Sequence, residues 1–258
     1  MTTKRWKIVI EYNGGAYYGW QKQPDVPSIQ QAIEEALYKF CQQKIAVQAA
    51  GRTDAGVHAW GQVAHFDLDY GDRSLTGYDL AKAINAHLRP APISILHAEE
   101  VDNEFHARFG AHNKMYQYRI VNRAGFLGLD QGRVWHINRA LDAGAMNEAA
   151  QVLLGQHDFS TFRDAQCQAK NPVRTLDRIS VTARPYDAHG GQEILIEAEA
   201  MSFIHHQVRN IVGTLILVGE GKWSADDLRA ALEAKDRTKG GVTAPAEGLY
   251  LVRVEYNV

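Results

Sequence analysis

The sequence predicts an α+β fold with antiparallel sheets, and three observations carry the prediction. Runs of alternating apolar and polar residues mark strands, as in Trp6-Lys-Ile-Val-Ile-Glu-Tyr12. Stretches with apolar residues three and four apart mark amphipathic helices between them. The order of elements over the first hundred residues then recurs in the remainder.

The first strand is Trp6 to Tyr12. Ser28 stands three residues before Gln31, the spacing of a capping box. It opens a helix with Ile29, Ile33, Ala36, Leu37 and Phe40 on one face. Strands follow at about 45–50 and 62–68, then a helix at about 76–88 with the stripe Leu80, Ile84 and Leu88, then a strand from Ile93 to Val101. The order is β-α-β-β-α-β, the ferredoxin-like split unit. In the second half Lys114 to Val121 alternates as a strand, and Leu141 to Leu154 reads as a helix stopped by Gly155, where left-handed caps sit. Thr175–Ala183 and Glu193–Ala200 read as two antiparallel strands joined across 188–191. A helix runs from about His205 to Val218, Ser224 opens a short helix with an acidic first turn, and Leu249 to Tyr256 closes the second sheet. Two such units divide the chain into domains 1–104 and 105–258.

At 258 residues, 45% hydrophobic and 22% charged, the chain is an ordinary globular protein that needs no metal or disulfide staple. No apolar stretch approaches a membrane span, and residues 1–30 lack a secretory core and cleavage site. The expected setting is the cytoplasm. Two cysteines, Cys41 and Cys167, are too few for a four-thiolate zinc site, and Cys41 reads as a small core residue. The net charge of −2 excludes a strongly basic nucleic-acid binder, yet residues 108–184 hold 11 Lys and Arg against 6 acids. Such a local excess serves either as a phosphate-attracting groove or as a solvated face of mixed charge.

Gly51-Arg52-Thr53-Asp54-Ala55-Gly56-Val57-His58 sets one carboxylate between two glycines, flanked by two predicted strands. On residue types alone this is an ordinary turn in which Asp54 caps its own backbone. It is equally the kind of short, strand-held loop that fixes one side chain for chemistry. The glycine-rich segment 13–19 and the Gly/Arg segment 122–133 are further candidate functional loops.

The string Ala50 to Ala59, followed by Gly61-Gln62-Val63, resembles the signature of the tRNA pseudouridine synthase family TruA. So do Glu11-Tyr12-Asn13-Gly14 with Tyr18-Gly19-Trp20-Gln21, and Phe105-His106-Ala107-Arg108 with Lys114-Met115-Tyr116-Gln117-Tyr118. Leu154-Gly155, His157 to Ser160 and Cys167 to Lys170 are similar to its third motif, and Val208 to Gly213 and Gly248 to Leu251 to its last two. The matches run in family order from residue 8 to 256. Met201-Ser202-Phe203 and Gln207 depart from the pattern, where a small residue and a methionine are frequent; both changes concern local packing.

The resemblance implies a pseudouridine synthase fold and an enzyme that isomerises uridine to pseudouridine at positions 38, 39 and 40 of the tRNA anticodon arm. A base must leave the stack for this chemistry. A carboxylate then adds to C6 of the uracil or attacks C1′ of the sugar, and both routes are open. Asp54 takes the place of the family's nucleophile. Arg209 takes the place of its basic partner, the alternatives being a phosphate contact or a surface arginine. Arg52 either fills the space of the flipped base, grips its phosphate, or braces the loop. Tyr116 matches the tyrosine that stacks on uracil, with Tyr118 as the alternative, and Leu249 matches a residue packed beneath the base. His58, Arg108 and Arg174 are RNA contacts or loop braces. Substrate and product are isomers, so no cofactor or metal is expected. The partners implied are tRNA and a second copy of the chain.

Two other readings compete. A non-catalytic RNA-binding module lacks its usual aromatic signature here and has no need of Asp54. A metal-dependent hydrolase lacks a ligand set: His205 and His206 diverge if helical, and His58 and His65 lack i, i+4 spacing. Gly219 to Trp223 is an incomplete phosphate loop, no Gly-x-Ser-x-Gly elbow exists, and His157-Asp158 reads as a turn.

Overall fold

The computed structural model describes residues 3–71 and 74–257. It is a mixed α+β protein whose sheets are mostly antiparallel, and backbone contacts group it into two compact units, Met1–His112 with Leu251–Val258, and Asn113–Tyr250. This grouping differs from a division at 104/105 in residues 105–112 and 251–258.

In the first unit, β1 (Thr3–Tyr12) lies between β4 (Ile93–Val101) and β3 (His58–Asp69), antiparallel to both, and the short β2 (Gln48–Ala49) pairs with β3. The alternation of β1 turns Trp6, Ile8, Ile10 and Tyr12 inward; the first three are in register with Phe66, Ala64 and Gln62 of β3, and Tyr12 meets Ala59 after a register shift. The helices α1 (Ile29–Cys41) and α2 (Gly77–Leu88) pack together, burying Ile29, Ile33, Leu37, Leu80 and Ile84 completely. Each such side chain contributes about 1.5–3 kcal/mol. Both starts are capped, by Ser28 on Gln31 N–H and by Thr76 on Asp79 N–H. Only half of the expected box forms at Ser28, because the Gln31 amide donates to Glu35 instead. Cys41, expected in the core, is half-buried with its thiol on the Leu37 carbonyl. The last strand, β11 (Leu249–Tyr256), was expected in the second sheet; its residues from 251 onward belong to the first unit and border β3.

The second unit has the antiparallel order β5-β10-β9, from β5 (Ala111–Asn122), β9 (Arg178–Pro185) and β10 (Gln192–Ala200), with β6 (Trp135–Ile137) parallel to β5. A separate hairpin pairs β7 (Gly155–Asp158) with β8 (Val173–Leu176), so His157 and Asp158 lie in a strand rather than a turn. The helix α3 (Ala143–Ala150) is shorter than the expected 141–154 and ends in a 3₁₀ turn at 151–153. It packs on β9, on α4 (Gln207–Gly219) and on α5 (Ala225–Ala234). The helix α4 is buried on nearly every side, as its apolar run requires, and Ser224 and Asp227 close a full capping box at α5. No helix among the described residues is long and apolar enough to cross a membrane.

Candidate active site

The loop that carries Asp54 is held at both ends and from outside. At its start Ala50 N–H donates to Val63 and the buried Gln62 amide donates to the Gly51 carbonyl. At its end the turn closes with Val57 N–H on the Asp54 carbonyl, and Gly56 takes φ +80°. The 13–20 segment clamps it: Trp20 N–H donates to the Thr53 carbonyl, Gly56 N–H to Tyr17, and Gly14 N–H to Nδ1 of His58. Thr53 Oγ1 and the Tyr12 hydroxyl share a bond of 2.8 Å. Burial pushes the Tyr12 hydroxyl up to about 12, against its bonds to Thr53 and Gln62, so it stays protonated. Two glycines allow this close packing. A Cβ on Gly14 would stand 2.0 Å from the Val57 carbonyl oxygen, and one on Gly19, at φ +88°, 2.5 Å from that of Thr53.

Within this unit Asp54 is half-buried and Arg52 is exposed. His58 is buried, and its Nδ1 bond to Gly14 makes it a brace of the loop. Arg108 is exposed, its guanidinium 5.7 Å from the Phe109 ring centre.

The second unit holds the other predicted residues. Tyr116, on β5, meets Phe203 edge-on, with ring centres 5.2 Å apart. Tyr118, two residues along the same strand face, is fully buried with its hydroxyl donating to the Pro245 carbonyl at 2.7 Å. Burial drives its hydroxyl well above the usual tyrosine range, outweighing the Arg209 cation that lowers it. Tyr118 is therefore a support, and a Cβ on Gly248 would collide with its ring. That contact fixes the 3₁₀ turn at Ala246–Gly248, directly before the buried Leu249. Arg209, in the first turn of α4, donates Nε to the Ala244 carbonyl, and Ala244 N–H returns a bond to the Arg209 carbonyl. Arg237 and Thr243 both donate to Asn210 Oδ1, which holds the same segment against α4. Arg174 spends Nη1 on the carbonyls of Asn171 and Val173, the geometry of a loop brace.

Expectation and structure part at His205 and His206. They precede the helix rather than lying on it, because His206 adopts φ +61°. Their rings approach to 4.0 Å, and Asp164 meets His206 Nδ1 at 2.7 Å and His205 Nδ1 at 3.6 Å. Sequence reasoning also missed the bracing roles of Tyr12, Thr53, Gln62 and Asn210. Each lies inside a motif string, but no spacing rule marks it as a brace.

The family model for tRNA pseudouridine synthase matches residues 8–110 and 149–257. Among curated proteins, the tRNA pseudouridine synthase A of Rhodospirillum rubrum is 53% identical over 252 residues, 98% of this chain and 87% of that one. Those of Paramagnetospirillum magneticum and Xanthobacter autotrophicus are each 54% identical over 98% of this chain, and over 95% and 99% of their own. The clamped Asp54 loop lies inside the first matched segment and the Arg209 helix inside the second, and this chain belongs to the tRNA pseudouridine synthase family.

Proposed function

We propose that this chain isomerises uridine to pseudouridine at positions 38, 39 and 40 of the tRNA anticodon arm, with Asp54 as covalent nucleophile on a flipped-out uridine. The observation that carries the reading is the Asp54 loop, braced by backbone and buried side chains so that one carboxylate is fixed while Arg52 beside it stays exposed. The bond from N1 to C1′ breaks, the base turns, C5 joins C1′, and the C5 proton is lost while N1 gains one. Arg209 is the cation that keeps the nucleophile ionised, Tyr116 stacks on the uracil, and Leu249 packs beneath it. Arg52 and Arg108 serve phosphate contact, with His58 and Arg174 bracing their loops.

The finer architecture belongs to the same proposal. The first unit's order β4-β1-β3-β2 supports a ferredoxin-like unit. Residues 1–104 carry the catalytic loop and 105–258 the second such domain. The enzyme acts in the cytoplasm as a homodimer.

The test is mass analysis of treated tRNA with carbodiimide labelling. Isomerisation leaves the mass unchanged and creates reactive bases at 38–40. A changed mass would indicate hydrolysis, and neither change would leave only binding. Activity on prefolded tRNA should survive exhaustive dialysis against chelator; loss restored by stoichiometric zinc would favour the hydrolase. Affinity for tRNA should fall steeply with salt despite the net charge of −2, since residues 108–184 hold 11 bases and 6 acids. Each phosphate contact adds about 0.7–0.9 to the slope, so affinity flat in salt would contradict a basic groove.

A further inference from the structure

The turn after β4 presents an aromatic surface that the isomerisation does not use. Phe109 is 78% exposed, an unusual position for a large apolar ring. It is not on a loose loop. Gly110 N–H donates to the His106 carbonyl, and Nδ1 of His106 accepts the N–H groups of both Arg108 and Phe109. Ala107 is tied at both ends, its N–H to Nδ1 of the buried His65 and its carbonyl to the Tyr256 hydroxyl. The rings follow one another outward in tilted contact: His65 to His106 at 4.7 Å, then His106 to Phe109 at 4.4 Å. Arg108 lies 5.7 Å from the Phe109 ring centre and, among the described residues, forms no ion pair. Phe105, His106, Phe109 and Tyr256 line an open groove of about 440 Å³, with Lys7 5.4 Å from the Tyr256 ring.

We propose that this turn is an RNA contact in which one unpaired base of the bound tRNA stacks on Phe109 while Arg108 takes the adjoining phosphate. This rests on the reading of the chain as a tRNA-modifying enzyme. Every nucleobase has a π-face, so a rigid exposed ring beside a cation fits a single-stranded nucleotide whatever its sequence. Preorganisation matters here: a ring already fixed by its backbone loses little freedom on binding. A peptide groove would call for backbone donors and a larger apolar floor, whereas this surface offers a ring face and an unpaired guanidinium.

The experiment uses the full chain and an unmodified tRNA transcript. Binding is measured for wild type, Phe109→Ala, Phe109→Trp and Arg108→Gln at several salt concentrations, alongside sedimentation and the wild-type pseudouridine assay. Phe109→Ala should raise Kd by about 5- to 100-fold, and Phe109→Trp should stay near wild type. Arg108→Gln should reduce the salt slope by about 0.7–0.9. Unchanged affinity in Phe109→Ala, or equal loss in Phe109→Trp, overturns the proposal. A changed sedimentation mass in Phe109→Ala also overturns it, by assigning the ring to self-association. If the wild type forms no pseudouridine, the reading of the activity fails, while the comparison of affinities still decides the platform.

Discussion

Asp54→Asn should bind tRNA as tightly as wild type and form no pseudouridine. The single-turnover rate should drop by on the order of 10⁵–10⁶-fold, the scale seen when a covalent nucleophile is removed. The amide keeps the size and shape of the carboxylate but carries no charge to attack carbon. The fold should persist, because much of the loop's support is backbone and neighbouring: Trp20 on Thr53, Gly56 on Tyr17, Gly14 on His58. The measurement is single-turnover conversion at saturating tRNA, with deamidation excluded by mass and with a melting curve. Substantial conversion by a verified Asp54→Asn protein would remove Asp54 from the role of nucleophile.

Gly14→Ala should be the most damaging single methyl in the clamp around the Asp54 loop. Its Cβ would stand 2.0 Å from the Val57 oxygen and 2.7 Å from the Val57 carbonyl carbon. Both obstacles are backbone, so one segment must retreat by more than about 1 Å, taking with it the bond from Gly14 N–H to His58. Stability should fall by about 1–3 kcal/mol, lowering the melting temperature by several degrees. The rate should fall further, by about 10²-fold, because a displacement of that size spoils the aim of a catalytic group. Gly125→Ala is the control, since a Cβ there meets nothing within 4 Å. A Gly14→Ala enzyme with the wild-type rate would show that the clamp does not position Asp54.

The sequence made legible what depends on local pattern. The stripe Leu80, Ile84 and Leu88 placed α2, and the alternation from Ile93 to Val101 placed β4. Local pattern failed where tertiary partners decide. The run at 45–50 looks like a strand, but Val47 gives its N–H to Glu34 and takes a bond at its carbonyl from Gln30, so only Gln48 and Ala49 pair with β3. The strand β7 needs its partner β8, some fifteen residues away, and nothing near His157 announces it. His206 breaks the helical start by adopting a conformation that residue type alone disfavours, and its ring meets Asp164, 42 positions earlier. The site divides the same way. Asp54 stood out in its motif, whereas the reason for Gly14 and Gly19 lies in how closely two distant loops approach.

The placement of β11 bears on how the chain comes to be folded at all. Its final residues join a unit whose other members are all complete by residue 112, so that unit is assembled from two pieces separated by the whole of Asn113–Tyr250. Closing a chain segment of about 140 residues costs on the order of 4 kcal/mol in entropy before any contact repays it. During synthesis the N-terminal segment emerges first and must wait, with the part of the β3 edge that β11 will occupy still open to foreign strands. The half of the protein that holds Asp54 is thus the first to be made and among the last to be finished.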